Sequence, residues 1–275
     1  MDNTAEALPG ISLTQEDRER IREIAGQIDL NDASLCLTYG TAGQKKLASA
    51  ADQLFRAAGR EDSAQIGDAM NRLIGELRDF SAIEERRGLF AWLFRRRDLN
   101  RMRKRYESAV ENTDRIAAEL ENHRNRLLRD FVMLNKLYDS VLEQYRELTV
   151  LTEAGQRKLD EDGDAEKELR ERFEKRLHDL KLSRTVCMQT LTQIRVLQGC
   201  NTALSEKIQS LLTNTMALWK NQTALALAMK NTGRAMEEVR AANGEMIGVL
   251  TDVWEAEDGI LQETRKIREL TDAGK

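Results

Sequence analysis

Proline, aromatic residues and long apolar runs are scarce in this sequence. Among 275 residues there is one proline, Pro9, and aromatic side chains make up 5% of the chain. No apolar run approaches the roughly 18 residues that a transmembrane helix needs, so none is expected. The N-terminus is acidic and lacks the apolar core of a secretory signal. These absences favour long, uninterrupted helices in a cytoplasmic protein.

Cysteine and histidine are also rare, which limits the chemistry that the chain can carry. The three cysteines, Cys36, Cys187 and Cys200, are odd in number and form no CxxC pair, as expected for free thiols in a reducing compartment. The two histidines, His123 and His178, have no metal-ligand spacing. The sequence has no Walker A loop, no GxGxxG after a strand and no nucleophile elbow. We therefore expect no catalytic residue, metal or cofactor, and predict that the protein is not an enzyme.

Charged residues are abundant, at 33%, and the net charge is −4. This balance argues against a general nucleic-acid binder, which would normally be basic. Alanine, leucine, glutamate, lysine and arginine dominate, a composition typical of long helices and coiled coils.

The apolar residues repeat with helical periodicity. Between Leu127 and Leu148 they follow alternating steps of 4 and 3, which is the heptad pattern of helices that wrap around each other. A glycine-containing acidic segment, residues 153–164, predicts a turn. A second helix is predicted over 165–212 and a third over 216–270. The fold class is therefore all-α: an elongated antiparallel helical bundle or coiled coil with a small N-terminal helical subdomain.

The domain organisation follows from these patterns. We predict a flexible N-terminus (1–13), an N-terminal helical subdomain (14–85) and a basic-aromatic connector (86–105). A stalk of three long helices (106–270) and a flexible tail (271–275) complete the chain.

The connector combines aromatic and basic side chains in one short stretch. One interpretation is that the aromatic residues cap the core while the arginines face solvent. The other is contact with the inner membrane face, where aromatic residues insert and arginines meet anionic lipid. Phosphate or nucleic-acid binding is a third, weaker interpretation. The candidate residues for membrane or anion contact are Arg87, Phe90, Trp92, Phe94, Arg95, Arg96 and Arg97.

A polar stripe interrupts the apolar pattern of the second helix. Asn201 lies seven residues after Ile194, at a predicted core position, where a polar side chain needs a partner. The stripe is either a buried network that fixes helix register or a binding surface for a partner. The candidate binding residues are Gln193, Arg195, Gln198, Asn201, Trp219, Asn221 and Gln222.

Several short motifs resemble the toxic anion (tellurite) resistance family, of the TelA and KlaA type. The resemblance spans about residues 28–270. The stretches that carry it include Asp29-Leu30, Tyr39-Gly40 with Gln44, and residues 127–130. The most specific is residues 193–198, continued by residues 218–222.

The resemblance implies a cytoplasmic bacterial protein linked to tellurite resistance or envelope stress, with no catalytic residues to carry over. The leading hypothesis is a non-enzymatic scaffold that binds other proteins of a stress-resistance system. One alternative is a peripheral protein of the inner membrane that docks through residues 88–97. Another is a thiol-dependent oxyanion detoxifier. Homo-oligomerisation stays open, and no nucleic-acid partner is expected.

Overall fold

The computed structural model describes residues 13–58, 62–81, 95–161, 166–229 and 232–273. Within these ranges every regular element is helical, so the all-α prediction is confirmed. The helices are α1 (Gln15–Gln27), α2 (Ala33–Thr38), α3 (Thr41–Ala58), α4 (Asp62–Ser81), α5 (Arg95–Glu161), α6 (Lys167–Ser210), a π-helical turn (Leu211–Thr215), α7 (Met216–Ala228) and α8 (Thr232–Ala273).

Helix α1 begins after an N-cap at Thr14. The Thr14 hydroxyl accepts a hydrogen bond from the Asp17 amide (3.1 Å), and the Asp17 carboxylate accepts one from the Thr14 amide (2.9 Å). This reciprocal arrangement is a capping box, which satisfies two backbone donors that would otherwise lack an intrahelical partner. Hydrogen bonds from the Thr14 amide and the Thr14 hydroxyl to the Asp17 carboxylate lower the pKa of that carboxyl.

The predicted turn at 153–164 was placed too early. Helix α5 continues to Glu161, and residues 162–165 lie outside the described residues. Gly155, which suggested the turn, lies inside the helix. A Cβ atom there would be 2.5 Å from a methyl carbon of Leu177 on α6, so the glycine serves close helix packing rather than chain reversal.

The predicted boundary between the second and third helices, at 212–216, was also wrong. The helix passes through the π turn and continues to Ala228. The stretch Leu211–Thr215 contains weak helix formers, but it accommodates an extra residue instead of ending the helix. The chain becomes extended at Met229, and α8 starts at Thr232.

The chain divides into two compact units, each of which takes part of α5 and part of α6. Unit 1 comprises residues 1–57 and 133–195, and unit 2 comprises residues 58–132 and 196–275. The domain boundaries predicted from the sequence divide the chain into consecutive segments, whereas each unit combines two separate segments. Those boundaries therefore remain predictions.

In unit 1, α1–α3 pack against antiparallel parts of α5 and α6. The antiparallel direction is evident because Gly155 approaches Leu177 whereas Tyr138, earlier in α5, meets Arg195, later in α6. Helix α1 buries Ile21 and Ala25 in a cluster with Val150 and Ala154 of α5. The interhelix contacts of unit 1 therefore join residues far apart in sequence.

In unit 2, α4, the first part of α5, the last part of α6, α7 and α8 share one apolar core. The apolar face of α4 is buried, including Ile66, Met70, Leu73 and Leu77. Exposed ion pairs join neighbouring helices at the surface, such as Arg72 with Glu119 and Lys220 with Asp114. Because such pairs contribute little each, the apolar core stabilises this unit.

Candidate functional site

The polar stripe predicted on the second helix is divided between the two units, because the boundary falls between Arg195 and Val196. In unit 1, Gln193 is half-buried and Arg195 is exposed. The guanidinium carbon of Arg195 lies 3.9 Å from the centre of the Tyr138 ring. This cation–π contact holds Arg195 flat against α5.

In unit 2, burial differs from the heptad expectation. Gln198 and Ser205 are buried, whereas Asn201, which was expected at a core position, is half-buried. Counting seven residues from Ile194 misplaces Asn201, because the buried positions nearby are Leu197, Gln198, Leu204 and Ser205. The part of the stripe that meets the core is therefore Gln198 rather than Asn201.

Trp219 is a core residue and not part of an accessible site. Its side chain is 1% exposed, and its ring centre lies 6.1 Å from that of Tyr106. The indole N–H donates a 2.6 Å hydrogen bond to Oδ1 of Asn243, whose amide reaches the Leu77 carbonyl oxygen at 3.4 Å. Helices α7, α8 and α4 are thereby joined through one buried polar contact.

Asn243 was not singled out by the sequence, although a signal existed. It lies among Val239, Ala242 and Met246, which form the apolar face of α8. A lone asparagine on such a face predicts a buried hydrogen bond.

From Val196 onward, the accessible surface of the α6–α7 helix is unusual in having almost no charge. Residues 196–229 include 15 exposed side chains, of which 2, Glu206 and Lys207, are charged. For comparison, residues 103–132 of α5, which belong to the same unit, include 13 exposed side chains, of which 8 are charged. We call the first set the low-charge face; it consists of Val196, Gly199, Thr202, Ala203, Glu206, Lys207, Ser210, Thr213, Asn214, Ala217, Leu218, Asn221, Ala224, Leu225 and Ala228.

The low-charge face also carries large apolar side chains in contact with solvent. Leu218 is 44% exposed and Leu225 is 68% exposed, seven residues apart on one side of α7. Depletion of charge together with exposed apolar groups is the composition of a protein–protein interface core. Of the predicted binding residues, Asn221 belongs to this face and Gln222 lies at its edge, half-buried.

The basic-aromatic connector is largely outside the described residues. Arg87, Phe90, Trp92 and Phe94 fall there, and Arg95, Arg96 and Arg97 are described only as the helical start of α5. The side chains are described from Arg103 onward.

Helix α7 ends beside the basic start of α5. The Arg103 guanidinium reaches the Leu227 carbonyl oxygen at 3.5 Å, and the Tyr106 hydroxyl donates to the Lys220 carbonyl oxygen at 2.9 Å. Two further cations, Lys104 and Arg105, are exposed beside Arg103.

The thiols are poorly placed for reactivity. Cys36 and Cys187 are buried, and Cys200 is half-buried. Burial raises the pKa of the Cys187 thiol to about 12, and it also raises the pKa of Cys36. A reactive cysteine needs the opposite shift, because the thiolate is the nucleophile.

The described residues contain no cluster of three His, Cys, Asp or Glu side chains that could hold a metal ion. His123 is buried and His178 is exposed, and they lie in different units. Within the described ranges, no helix is both long and apolar enough to cross a membrane.

A shallow groove of about 270 Å³ in unit 1 has two cations in its lining, Arg170 and Lys181. They already have partners: Arg170 bonds to Glu174 and to the Leu159 carbonyl oxygen, and Lys181 bonds to Gln156. An oxyanion would have to displace these contacts, so the groove is a poor anion site. The lining residues are Gln156, Leu159, Arg170, Glu174, Leu177, His178 and Lys181.

Comparison with known proteins identifies the family. The family model for the toxic anion resistance protein (TelA) matches residues 21–167 and 161–250. This chain belongs to the TelA family. It is 30% identical over 267 residues to the YaaN protein of Bacillus subtilis, covering 86% of this chain and 69% of the relative.

Other relatives of this TelA family member are similarly distant. A TelA-like protein of Staphylococcus epidermidis is 30% identical over 270 residues, covering 88% of this chain and 72% of the relative. The Lmo1967 protein of Listeria monocytogenes is 29% identical over 270 residues, covering 87% and 68%. No solved structure is detectably similar to this chain.

One TelA-like motif, Tyr39-Gly40 with Gln44, has a structural role in unit 1. Arg176 of α6 donates hydrogen bonds to the Tyr39 carbonyl oxygen (2.7 Å) and to the Gln44 side-chain oxygen (2.7 Å). The Tyr39 hydroxyl donates to the Leu151 carbonyl oxygen of α5 (2.8 Å). The motif thus fixes the α2–α3 turn to the long helices. Arg176 carried no sequence signal, since it is one of many arginines on α6.

A second TelA-like motif, residues 218–222, alternates between the interior and solvent. Trp219 points into the core, whereas Leu218 and Asn221 lie on the low-charge face. In this TelA family member the same five residues therefore serve both packing and the accessible surface.

Proposed function

We propose that this TelA family member is a non-enzymatic helical scaffold that acts in resistance to tellurite and related toxic anions. In this proposal it works in the cytoplasm and binds other proteins of the resistance system through the low-charge face. Family membership supports the resistance role. The observation that carries the binding role is the contrast between 2 charged side chains among 15 on this face and 8 among 13 on α5.

The physical reason is the energetics of desolvation. Binding removes water from both partners, and each buried charge that is imperfectly paired opposes association. A face with few charges largely avoids this cost, while Leu218 and Leu225 supply apolar area at about 25 cal/mol per Å² buried. For a protein that binds no partner, a surface with few charges offers no advantage, because exposed charges improve solubility.

The proposal that the protein is not an enzyme rests on the sequence, which lacks catalytic motifs. The thiol-dependent alternative is disfavoured because burial raises the pKa of Cys36 and Cys187. Resistance would then depend on protein contacts rather than on chemical conversion of the anion by this chain.

Two matched double variants test the binding role. Ala217→Glu with Asn221→Lys places a charge pair on the low-charge face, and both positions are exposed. Ala118→Glu with Asn122→Lys makes the same changes, at the same spacing, on exposed positions of α5. Each pair is neutral overall and has the favourable i,i+4 orientation, so helix stability should change by at most about 0.5 kcal/mol.

We expect the α7 pair to abolish complementation of tellurite resistance in cells that lack the native copy, and the α5 pair to preserve it. The minimal inhibitory concentration of tellurite is the measurement, with circular dichroism to show that both variants are folded. Equal resistance with both variants would contradict the use of this face.

A second candidate function is docking to an anionic membrane, extending the sequence hypothesis for residues 88–97. The specific observation is that Leu225, 68% exposed near the end of α7, lies two residues before Leu227, whose carbonyl oxygen the Arg103 guanidinium reaches. An exposed apolar side chain beside several cations is the pattern of an interfacial membrane contact.

Vesicle flotation tests this candidate. Leu225→Ser with Arg103→Gln is expected to reduce binding to phosphatidylglycerol vesicles several-fold, because both the apolar and the ionic contribution are weakened. Leu37→Ser with Arg18→Gln, which also removes one exposed leucine and one exposed arginine, is the control. Absence of binding by the wild type, or equal binding by both variants, would reject a membrane role.

A further inference from the structure

The core positions of the α6–α7 helix repeat with one interruption. On each side of the π turn they alternate in steps of four and three residues, the heptad spacing. The step across the turn is five residues, so every core position after it falls one residue later than the pattern before it predicts. The residues that form this pattern are Leu204, Ile208 and Leu211 before the turn, and Met216, Trp219, Thr223 and Ala226 after it.

The core does not need the extra residue. With one residue fewer in the π turn, Met216 would be the fourth residue after Leu211, which is an ordinary α-helical step between two core positions. Trp219 and the core residues after it would keep their present direction. The wide turn instead carries Thr213 and Asn214 on its solvent side, where both are exposed. A regular helix that is one residue shorter would therefore satisfy the same packing.

The sequence of the π turn makes it a weak point of the helix. Three of its five residues, Thr213, Asn214 and Thr215, are weak helix formers. The Thr213 hydroxyl donates a 2.9 Å hydrogen bond to the Gln209 carbonyl oxygen, and side-chain contacts of this kind bend helices. Wide turns are also among the few places where long helices kink, and they occur frequently at functional sites.

Helix α8 holds the α6–α7 helix on both sides of this weak point. Before the turn, the Lys207 ammonium donates a 2.9 Å hydrogen bond to the Asp252 carbonyl oxygen. After the turn, the Trp219 indole donates its 2.6 Å hydrogen bond to Asn243. Opening of the turn between these contacts leaves the core residues in place, so it requires less free energy than unfolding of the unit.

We propose that the π turn is a joint in the middle of the low-charge face. Its backbone opens locally while the core on both sides stays packed, and the exposed side at Thr213 and Asn214 changes shape when the face binds. The extra residue serves this local motion and not the fold. The inference rests on the proposed function, because the motion serves the binding assigned to this face.

Two matched deletions test whether the fold needs the extra residue. Deletion of Thr213 removes one residue from the π turn, and deletion of Thr202 removes one from the regular part of α6. Both threonines are exposed, and both hydroxyls donate to the carbonyl oxygen four residues earlier, at 2.9 Å. Urea unfolding of the full chain, followed by circular dichroism, compares the two variants.

We expect the Thr213 deletion to unfold at or above the wild-type urea midpoint. The Thr202 deletion should unfold at a much lower midpoint, because Leu204, Ile208 and Leu211 turn by about 100° away from the core. Equal losses in the two deletions would show that the core requires the extra residue, which would overturn the joint.

Amide hydrogen exchange measured by NMR tests the local opening. In the wild type, the amides of residues 212–216 should exchange at least about tenfold faster than those of residues 219–223, and the Thr213 deletion should remove this difference. Equal protection of the two segments in the wild type would overturn the joint.

Complementation of tellurite resistance tests the use of the joint. We expect the Thr213 deletion to fail to restore resistance although it is folded. Thr213→Ala is the control, because it removes the side chain but keeps the extra residue, and it should restore resistance as the wild type does.

The outcomes separate this inference from the proposed function. If the Thr213 deletion restores full resistance while Ala217→Glu with Asn221→Lys abolishes it, the joint is rejected and the proposed function stands. If both variants restore full resistance, the joint and the proposed function are both rejected.

Discussion

Replacing Trp219 with alanine is expected to destabilise unit 2 by about 3–5 kcal/mol, the range for large aromatic truncations in a core. Trp219 is 1% exposed and is among the largest fully buried side chains in the described chain. Its removal leaves a cavity among α7, α8 and α4 that the surrounding backbone cannot easily fill, because the helices are held at fixed spacing by their other contacts.

The loss has a polar component as well. The indole N–H is the donor of the 2.6 Å hydrogen bond to Asn243 on α8, and alanine cannot replace it. A buried hydrogen bond of this kind is worth about 0.5–1.5 kcal/mol net. The effect should therefore lie toward the upper part of the range for a cavity alone.

Hydrogen exchange of the slowest amides in α7 and α8 is the measurement, because it reports the opening free energy of this unit directly. Trp254→Ala is the control. Trp254 is 37% exposed on α8, and its replacement should cost about 1 kcal/mol or less. Similar losses in the two variants would show that Trp219 is not the centre of the core.

The second large effect is expected at Gly40, in the turn between α2 and α3 of unit 1. Its φ of 71° lies in the left-handed region, where an L-residue with a Cβ atom costs about 1–2 kcal/mol. A Cβ atom would also lie 2.7 Å from both methyl carbons of Leu180, which is fully buried. Overpacking of this kind costs about 1–3 kcal/mol, so Gly40→Ala should destabilise unit 1 by about 2–5 kcal/mol.

Gly26→Ala provides the opposite expectation within the same unit. Gly26 lies in α1, and a Cβ atom there would have no neighbour within 4 Å. Alanine should therefore stabilise α1 by about 0.5–1 kcal/mol through helix propensity. Urea unfolding followed by circular dichroism compares the two variants. A Gly40→Ala protein as stable as the wild type would contradict the strain assigned to this turn.

The cores of the long helices could be predicted from the sequence because heptad spacing depends only on local order. Leu127, Leu134, Val141 and Leu148 of α5 are all buried, whereas Phe131 and Tyr145, which belong to the same pattern, are half-buried. The N-cap at Thr14 was also readable, since its partner is three residues away. In each of these cases the residues that decide the structure are neighbours in the chain.

Features set by contacts between distant residues were not predictable in the same way. Gly155 looked like a turn, and only the approach of Leu177 explains why it lies within a helix. The candidate site was predicted in part: Asn221 is accessible as expected, whereas Trp219 is in the core because α8 covers it. The scarcity of charge over residues 196–229 is visible in the sequence, but its meaning depends on knowing which of those side chains are exposed.

The π turn at Leu211–Thr215 decides which side of α7 is inside the protein. Buried residues before it follow ordinary helical steps, Leu204, Ile208 and Leu211, and the next is Met216, five residues on. In an unbroken α-helix each residue turns the chain by about 100°, so if the same residues formed a regular α-helix with no π turn, Trp219 would rotate away from Asn243 and the Leu218 side would turn inward. The π turn thus compensates for the extra residue in this segment. As a result, one continuous helix keeps its apolar side toward the core and its uncharged side toward solvent.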